Sequence, residues 1–475
     1  MKLSNKITGV TCDSREIKPG YAFVAIQGLQ RDGHDFIEDA IERGASHVII
    51  EKPVKIKTNI PIKIVDDSRV ALAELAASLF GNPSQHLTTI GVTGTNGKTT
   101  STFLVHQLFK INKIDCGLIG TVDIDTGINQ RKALLTTPDA VELQGYLKEM
   151  VDANIKVSTM EVSSHGIKLK RIHGIEFDLA IFTNVSKDHF DFHQNFEHYL
   201  KIKKSFFEQL SYGSIALING DDPHSEFISS GIKAKVLTYG IHNDNLFTAD
   251  NIRKDNITTN YDLIIHKPIE TRFTKIEPSK IPIEIKLPGM HNIYNTLGAC
   301  ATGLLLGLKP EQIQKISDFR GIWRRFQVIY NRDFTIIDDC AHNPGSYSAV
   351  FETVSTLSYK NLYIINAIRG NRGVQINRDN ACTIADKIKD LPNANLIITN
   401  CSELVKPDDL VSEKEEKTFL NVFNEHKIKY THNKNLHPCI DKVLSNVKPN
   451  DLILLLGAHA MDKAGDIILS YPLLA

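Results

Sequence analysis

A chain of 475 residues exceeds what one hydrophobic core organises, so about three domains are expected. With 55 Lys+Arg against 55 Asp+Glu the formal net charge is zero, which argues against a nucleic-acid or anionic-membrane partner. Seven scattered cysteines without a CxxC pair argue against a disulfide framework or zinc site; with no apolar signal core at the N-terminus and no span longer than the glycine-broken 297–308, a cytoplasmic chain is expected.

Residues 1–86 alternate strand and helix signals. Strands are expected at 21–26 and 47–50, and helices at 34–43 and 69–80, ended by Gly44 and by Gly81-Asn82-Pro83. Two polar turns, Cys12-Asp13-Ser14-Arg15 and 28–34, sit where small α/β domains place ligands, although by themselves they read as ordinary surface turns.

The linker 81–86 leads into LTTIGVTGTNGKTT, residues 87–100. This is a short apolar strand, a glycine turn and the start of a helix. Gly94 and Gly97 let the backbone around Thr95 and Asn96 curl and turn its N–H groups inward. With the positive helix end these form an anion site. Lys98 can reach the β/γ-phosphates of a nucleotide, and the Thr99 hydroxyl can ligate Mg²⁺. The strict P-loop spacing wants glycine where Val92 stands.

Further on, a helix at 99–110 precedes a strand near 116–121. The turn Leu135-Thr136-Thr137-Pro138-Asp139 then caps a helix at 140–153. The strand 157–162 carries Glu161 at its carboxyl edge, a position suited to holding Mg²⁺ on a nucleotide. A strand at 179–185 runs into Asp188-His189-Phe190-Asp191. The helix 197–210 has Phe196, Tyr199, Ile202, Phe206 and Leu210 near helical spacing as its buried face, and Lys201, Lys203 and Lys204 read as a solvated basic face. Residues 235–287 are strand-like with little chemical signal. An apolar helix starts near Asn292 and runs to 308. From 318 onward, apolar runs at 335–338, 362–367, 395–399 and 451–456 alternate with helical patterns, which is a doubly wound α/β sheet.

The wording TGTNGKTT, with Thr99 and Thr100 after the lysine, resembles the Mur ligase family, ATP-dependent enzymes that make amide bonds on peptidoglycan precursors. The DSR, FVA and G-x-x-x-DG pieces of the first segment are similar to the uridine-nucleotide domain of the tripeptide-synthetase (MurE-type) branch. The resemblance implies that Ser14, Leu29, Gln30 and Arg31 hold the uracil and diphosphate. It places Thr136, Thr137, Ser163 and Arg171 on the muramoyl-peptide substrate. Gly94, Thr95, Asn96, Gly97, Lys98, Thr99, Thr100, Asn292, Arg325 and Asp339 are assigned to ATP. Thr99, Glu161 and His189 are assigned to Mg²⁺. The family carbamylates a lysine with CO₂ four residues after a tyrosine; here that lysine is Lys203, whose carbamate becomes an anionic ligand toward the metal. Lys98, Lys203 and His189 are thus the catalytic candidates.

The likeness covers the whole chain, as an α/β protein of three domains. These are a UDP-substrate domain at 1–86, a central P-loop domain at 87–317 and a C-terminal Rossmann-like domain at 318–475. Departures concentrate in the last. Gln327 replaces the glutamate of G-x-x-x-RFE, the late GKGHE reads Gly457-Ala458-His459-Ala460-Met461-Asp462, and the DNPR loop reads Asn400-Cys401-Ser402-Glu403. The absent arginine is the group that pairs with the distal carboxylate of diaminopimelate, so poor use of meso-diaminopimelate is expected. Arg369, Arg372 and Arg378 are alternative anion receptors or surface residues. The expected activity is ADP-forming addition of an amino acid to UDP-N-acetylmuramoyl-L-alanyl-D-glutamate by a monomeric enzyme. A folylpolyglutamate- or cyanophycin-type ligase and an idle nucleotide-binding subunit are the alternatives; intact Lys98, Glu161, His189 and Lys203 argue against the second.

Overall fold

The structure is a computed structural model that describes residues 7–28, 31–186, 195–242, 244–255, 258–319 and 321–474. Three separate sheets organise it. The first has four parallel strands, Gly9–Thr11, Tyr21–Val24, His47–Ile50 and Ile62–Ile64, in that order. Successive residues of a strand face opposite layers. Ala22 and Val24 therefore pack on the helix Ser68–Leu79, and Phe23 and Ala25 on the helix Ile37–Glu42. The Asp67 carboxylate caps the longer helix by accepting the Arg69 and Val70 N–H groups. The outer strands escaped the sequence reading because each is only three residues long.

The central sheet has eleven strands. Its parallel centre runs Lys235–Gly240, Ile215–Asn219, Leu179–Phe182, Thr88–Thr93, Val157–Glu161, Cys116–Ile119. The strand leading to the glycine loop is thus flanked on both sides. Glu161 lies opposite Val92, and Phe182 opposite Thr93. That register delivers the ends of three strands to one crevice, the position where parallel α/β sheets bind ligands. Antiparallel strands extend both edges: Thr258–Ile265 and Ser279–Ile285 on one side, Asp123–Asp125 and Gln130–Lys132 on the other. Gly91 is where the sheet needs a missing side chain. A Cβ there would meet the Phe206 and Phe177 rings at 2.6 and 2.8 Å. Those rings stack edge to face, with centroids 5.0 Å apart. The helix Phe196–Glu208 thereby lies close against the strand, which fixes its height relative to the glycine loop.

In the C-terminal sheet an antiparallel edge strand, Gln327–Asn331, precedes the parallel order Thr335–Asp339, Leu452–Leu456, Leu362–Ala367, Ala394–Thr399, Tyr430–Asn433. Apolar layers cover both faces. Asp339, Leu456 and Asn366 are in register, so the turns after these strands open side by side. No helix among the described residues is long and apolar enough to cross a membrane.

One buried histidine of the central layer makes stability pH-dependent. Burial, reinforced by Lys110, pushes the His106 imidazole down to about 4, against the pull of Asp125. The unfolded chain takes up a proton near pH 6.5 and the folded one does not. This contribution is therefore complete above pH 6.5 and is lost as pH falls toward 4. Its upper size is about 3 kcal/mol. In urea titrations across pH 4–7, His106→Gln is expected to flatten that acid limb; an unchanged slope would contradict it.

Candidate active site

The helix Lys98–Ile111 begins without a side-chain cap: its cap position is Gly97, at φ +84°. Its first N–H groups are left for an anion. The loop before it is held from the neighbouring strand. Thr183 Oγ1 donates to Asn96 O at 2.7 Å. Asn184 accepts the Asn96 N–H at its Oδ1, donates from Nδ2 to Asn96 O, and accepts the Thr95 N–H at its carbonyl. A Cβ at Gly94 would run into Thr183 Oγ1, so glycine is required by close approach. Lys98 Nζ donates to Gly94 O at 2.9 Å and Thr95 O at 2.8 Å, which folds its ammonium over the loop.

Beside the loop, Glu161 is fully buried. Its Oε2 accepts the Thr99 hydroxyl at 2.9 Å and its Oε1 the Thr121 N–H at 2.6 Å. Lys203 corrects the sequence reading of a solvated basic face. Lys201 is exposed, but Lys203 is 1% exposed, and its Nζ donates to Gly94 O at 2.7 Å. It lies 4.6 Å from the Tyr199 ring centroid, while Tyr199 Oη sits 3.1 Å from Thr95 Oγ1. One helix face therefore supports the glycine loop from below. Phe196 and Ile202 are only half-buried; Leu200 and Phe207 take their places in the core. His189 lies outside the described residues.

The hydroxyl-rich turn joins the same crevice. Thr137 Oγ1 lies 2.9 Å from Ser163 Oγ and from Glu161 O, and Arg171 donates from Nη1 to Thr137 O at 2.9 Å. Arg171 Nε also pairs with Asp139. Thr121 Oγ1 donates to Thr136 Oγ1. Asn292 donates to Pro288 O and accepts from Asn295, which in turn accepts from Ser101. The first segment stands apart. Ser14 is buried in a short turn capped by Asp13, Arg31 is exposed, and neither lines this crevice. Leu29 and Gln30 lie outside the described residues.

The C-terminal sheet closes the other side. A cavity of about 870 Å³ is lined at once by Thr95–Thr100, Glu161, Lys203, Thr136, Thr137, Ser163, Arg171 and Asn292, and by Arg325, Asp339, Cys340, Arg369, Arg372 and His459. Asn343 Nδ2 reaches Asn96 Oδ1 at 3.5 Å across the gap. Burial pushes the Asp339 carboxyl up to about 6, although Arg325 pulls the other way. Its Oδ2 accepts the Phe326 N–H at 2.7 Å. Burial opposes the Arg325 charge, yet the facing Cys340, Asp339 and Glu161 leave it above its ordinary value. The geometry gathers phosphate-binding N–H groups, three cations and a buried carboxylate–hydroxyl pair around one volume. That arrangement suits transfer of a phosphoryl group between two substrates.

Family models match along the chain: the Mur ligase family catalytic domain at 6–79, the Mur ligase middle domain at 92–303, and the Mur ligase glutamate ligase domain at 324–459. The UDP-N-acetylmuramoyl-L-alanyl-D-glutamate–2,6-diaminopimelate ligase of Bacillus velezensis is 36% identical over 395 residues, 81% of this chain and 78% of that protein. The chain belongs to the Mur ligase family. The Bacillus licheniformis enzyme of the same name is 33% identical over 462 residues, 95% of this chain and 89% of that one. A solved diaminopimelate ligase structure shares the fold, with TM-score 0.66, 22% identity and coverage of 95% and 89%. The protein is therefore an ATP-dependent, ADP-forming ligase.

The sequence reading of this Mur ligase missed Arg324, although it singled out its neighbour. Arg324 is fully buried, at φ +53°. Its Nε pairs with Asp338 at 3.0 Å and its Nη1 with Asp462 at 2.6 Å. Further guanidinium N–H groups donate to the carbonyls of Asp339, Gly457 and Ala458. Burial works against the charge, but Asp338 outweighs it, so the guanidinium stays above its ordinary value. Gln327, standing for the family glutamate, accepts the Arg324 N–H at 3.0 Å. The signal was a second arginine beside a motif arginine, which sequence alone leaves as surface charge. Glu403 is not in the cavity: its Oε1 accepts the Leu436 and His437 N–H groups and caps the helix Leu436–Leu444.

Proposed function

We propose that this ligase joins an amino acid to UDP-N-acetylmuramoyl-L-alanyl-D-glutamate through an acyl phosphate, as the names of its relatives suggest. The observation that carries the reading is the single cavity shared by the glycine loop, the Thr137–Ser163–Arg171 turn and the C-terminal strand ends. The division at 1–86, 87–317 and 318–475 belongs to the same reading.

In this scheme the donor carboxylate oxygen attacks the γ-phosphorus and ADP leaves. The amine then attacks the acyl carbon, phosphate departs with the former carboxylate oxygen, and the amine proton goes to a base or water. Gly94–Thr100 cradle the phosphates, and Lys98 turns from the loop carbonyls to the transferring group. Asn292, Arg325 and Asp339 hold the nucleotide. Thr136, Thr137, Ser163 and Arg171 orient the donor peptide, while Ser14, Leu29, Gln30 and Arg31 anchor the uridine diphosphate. Thr99 Oγ1 and Glu161 Oε2, 2.9 Å apart, are hard oxygen donors fit for Mg²⁺, with His189 as the further ligand. The ion's role is to neutralise phosphate charge.

Lys203 is read as carbamylated: its neutral amine attacks CO₂, the N–C bond forms and one proton leaves. Support comes from its burial at the loop, where a carboxylate-like group suits a bound divalent ion better than an ammonium. Lys203→Ala is expected to lose roughly 100-fold or more of ADP release. Acetate partly restores it, while Lys201→Ala behaves as wild type. Normal turnover by Lys203→Ala would refute the assignment. Amide formation on the UDP-muramoyl dipeptide, compared with folate and arginine-containing peptide donors, tests the donor itself; turnover only on the latter would overturn the reading.

A further inference from the structure

Acceptor selection, which rests on the reading above, has to be sought where the cavity is walled by the C-terminal sheet. The family's distal-carboxylate arginine is absent from 400–403, and the residues that replace it point to other work. Glu403 caps a helix, and Asn400 donates to Glu416 at 2.6 Å and faces His432. Neither Asn400 nor Glu403 lines the cavity. The wall is instead built by the turn after the strand Leu362–Ala367, through Arg369, Arg372 and Ile376, and by Ala458 and His459 from the adjacent strand end.

This turn is rigidly mounted. The Glu415 carboxylate accepts the N–H groups of Asn371, Arg372 and Gly373 at 3.3, 3.0 and 2.9 Å. It also accepts from Ser412 at its own helix start. That carboxylate is committed to backbone, so it shapes the turn and leaves the guanidinium groups to the cavity. Arg372 Nε is buried and finds no acceptor among the described residues; its Nη2 reaches Asp409 only at 3.7 Å. The acids among the described lining residues lie elsewhere. Glu161 serves Thr99 and Thr121, Asp339 accepts from Phe326, and Glu352 pairs with Lys387.

We infer that Arg369 and Arg372 form a two-anion acceptor subsite, selecting an amino acid that carries a second carboxylate besides its α-carboxylate. Two forked donors three residues apart on one fixed turn match two planar carboxylates. A distal ammonium, as in lysine, enters a cationic wall and sheds water without a partner. A small apolar acceptor leaves one guanidinium unpaired. meso-Diaminopimelate, whose distal carboxylate stands beside an ammonium, ranks between these and a simple dicarboxylate. Arg369 thereby takes over the task that the missing loop arginine performs in the family, from a different strand end.

The test uses the full chain, with UDP-muramoyl dipeptide, Mg²⁺ and ATP, and compares glutamate, meso-diaminopimelate, lysine and alanine at equal concentration. The wild type is expected to use glutamate with kcat/KM roughly 10- to 100-fold above lysine and alanine, through KM, with diaminopimelate between. In Arg369→Ala that ratio falls to near one while KM for ATP and for the donor holds. Arg369→Lys keeps the charge without the fork and restores only part. Melting-temperature shifts by the same acceptors with a non-hydrolysable ATP analogue read binding without any donor. They are expected to follow the same order, so failure of the muramoyl donor and failure of the subsite are separable. Preference for lysine or alanine by either readout, or an equal loss for every acceptor in Arg369→Ala, would overturn the subsite.

Discussion

Lys98→Ala is expected to abolish ATP turnover, by at least about 100-fold, while the protein keeps its fold. The ammonium now donates to Gly94 O and Thr95 O, so it stands at the mouth of the glycine loop with nothing else able to reach a transferring phosphoryl group from that side. A methyl group supplies neither charge nor donor. The loop does not depend on Lys98 for its shape, because Thr183 and Asn184 hold Asn96 and Thr95 directly. ADP release with far-UV circular dichroism checks both halves. Wild-type rates from a folded variant would sink the phosphate-loop assignment.

The second large effect is on stability. Arg324→Met is expected to destabilise the C-terminal sheet by about 3–5 kcal/mol, since removing one partner of a buried ion cluster leaves the others uncompensated. Asp338 is buried and depends on the Arg324 fork, and the carbonyls of Gly457 and Ala458 lose their donors. Adding Asp338→Leu to Arg324→Met should recover part of the loss, because the stranded charge is then gone. Urea unfolding followed by the fluorescence of Trp323, the neighbouring residue and the sole tryptophan, reads the effect. An unchanged midpoint in Arg324→Met would contradict it.

What the sequence could carry was decided by how local each signal is. The glycine loop was legible because Gly94, Gly97, Lys98 and Thr99 are contiguous and their spacing dictates a strand–turn–helix. Glu161 was legible because a strand end beside such a loop is a ligand position, and its register opposite Val92 agrees. Lys203 was not legible from periodicity. Three lysines in four positions look solvated, and only the close approach allowed by Gly91 turns one of them under the loop. Arg324 and the turn at 369–373 were hidden for a related reason: their partners, Asp338, Asp462 and Glu415, lie 14, 138 and about 45 residues away in sequence. The cavity is assembled from strand ends of two sheets, and no window of sequence contains it.

The central claim is that phosphoryl transfer goes to the donor carboxylate. The most direct measurement uses UDP-muramoyl dipeptide labelled with ¹⁸O in its terminal carboxylate, with phosphate analysed by mass after amide formation. The account predicts one ¹⁸O atom in each phosphate released, carried over when the amine displaces it from the acyl carbon. Amide product accompanied by unlabelled phosphate would contradict it.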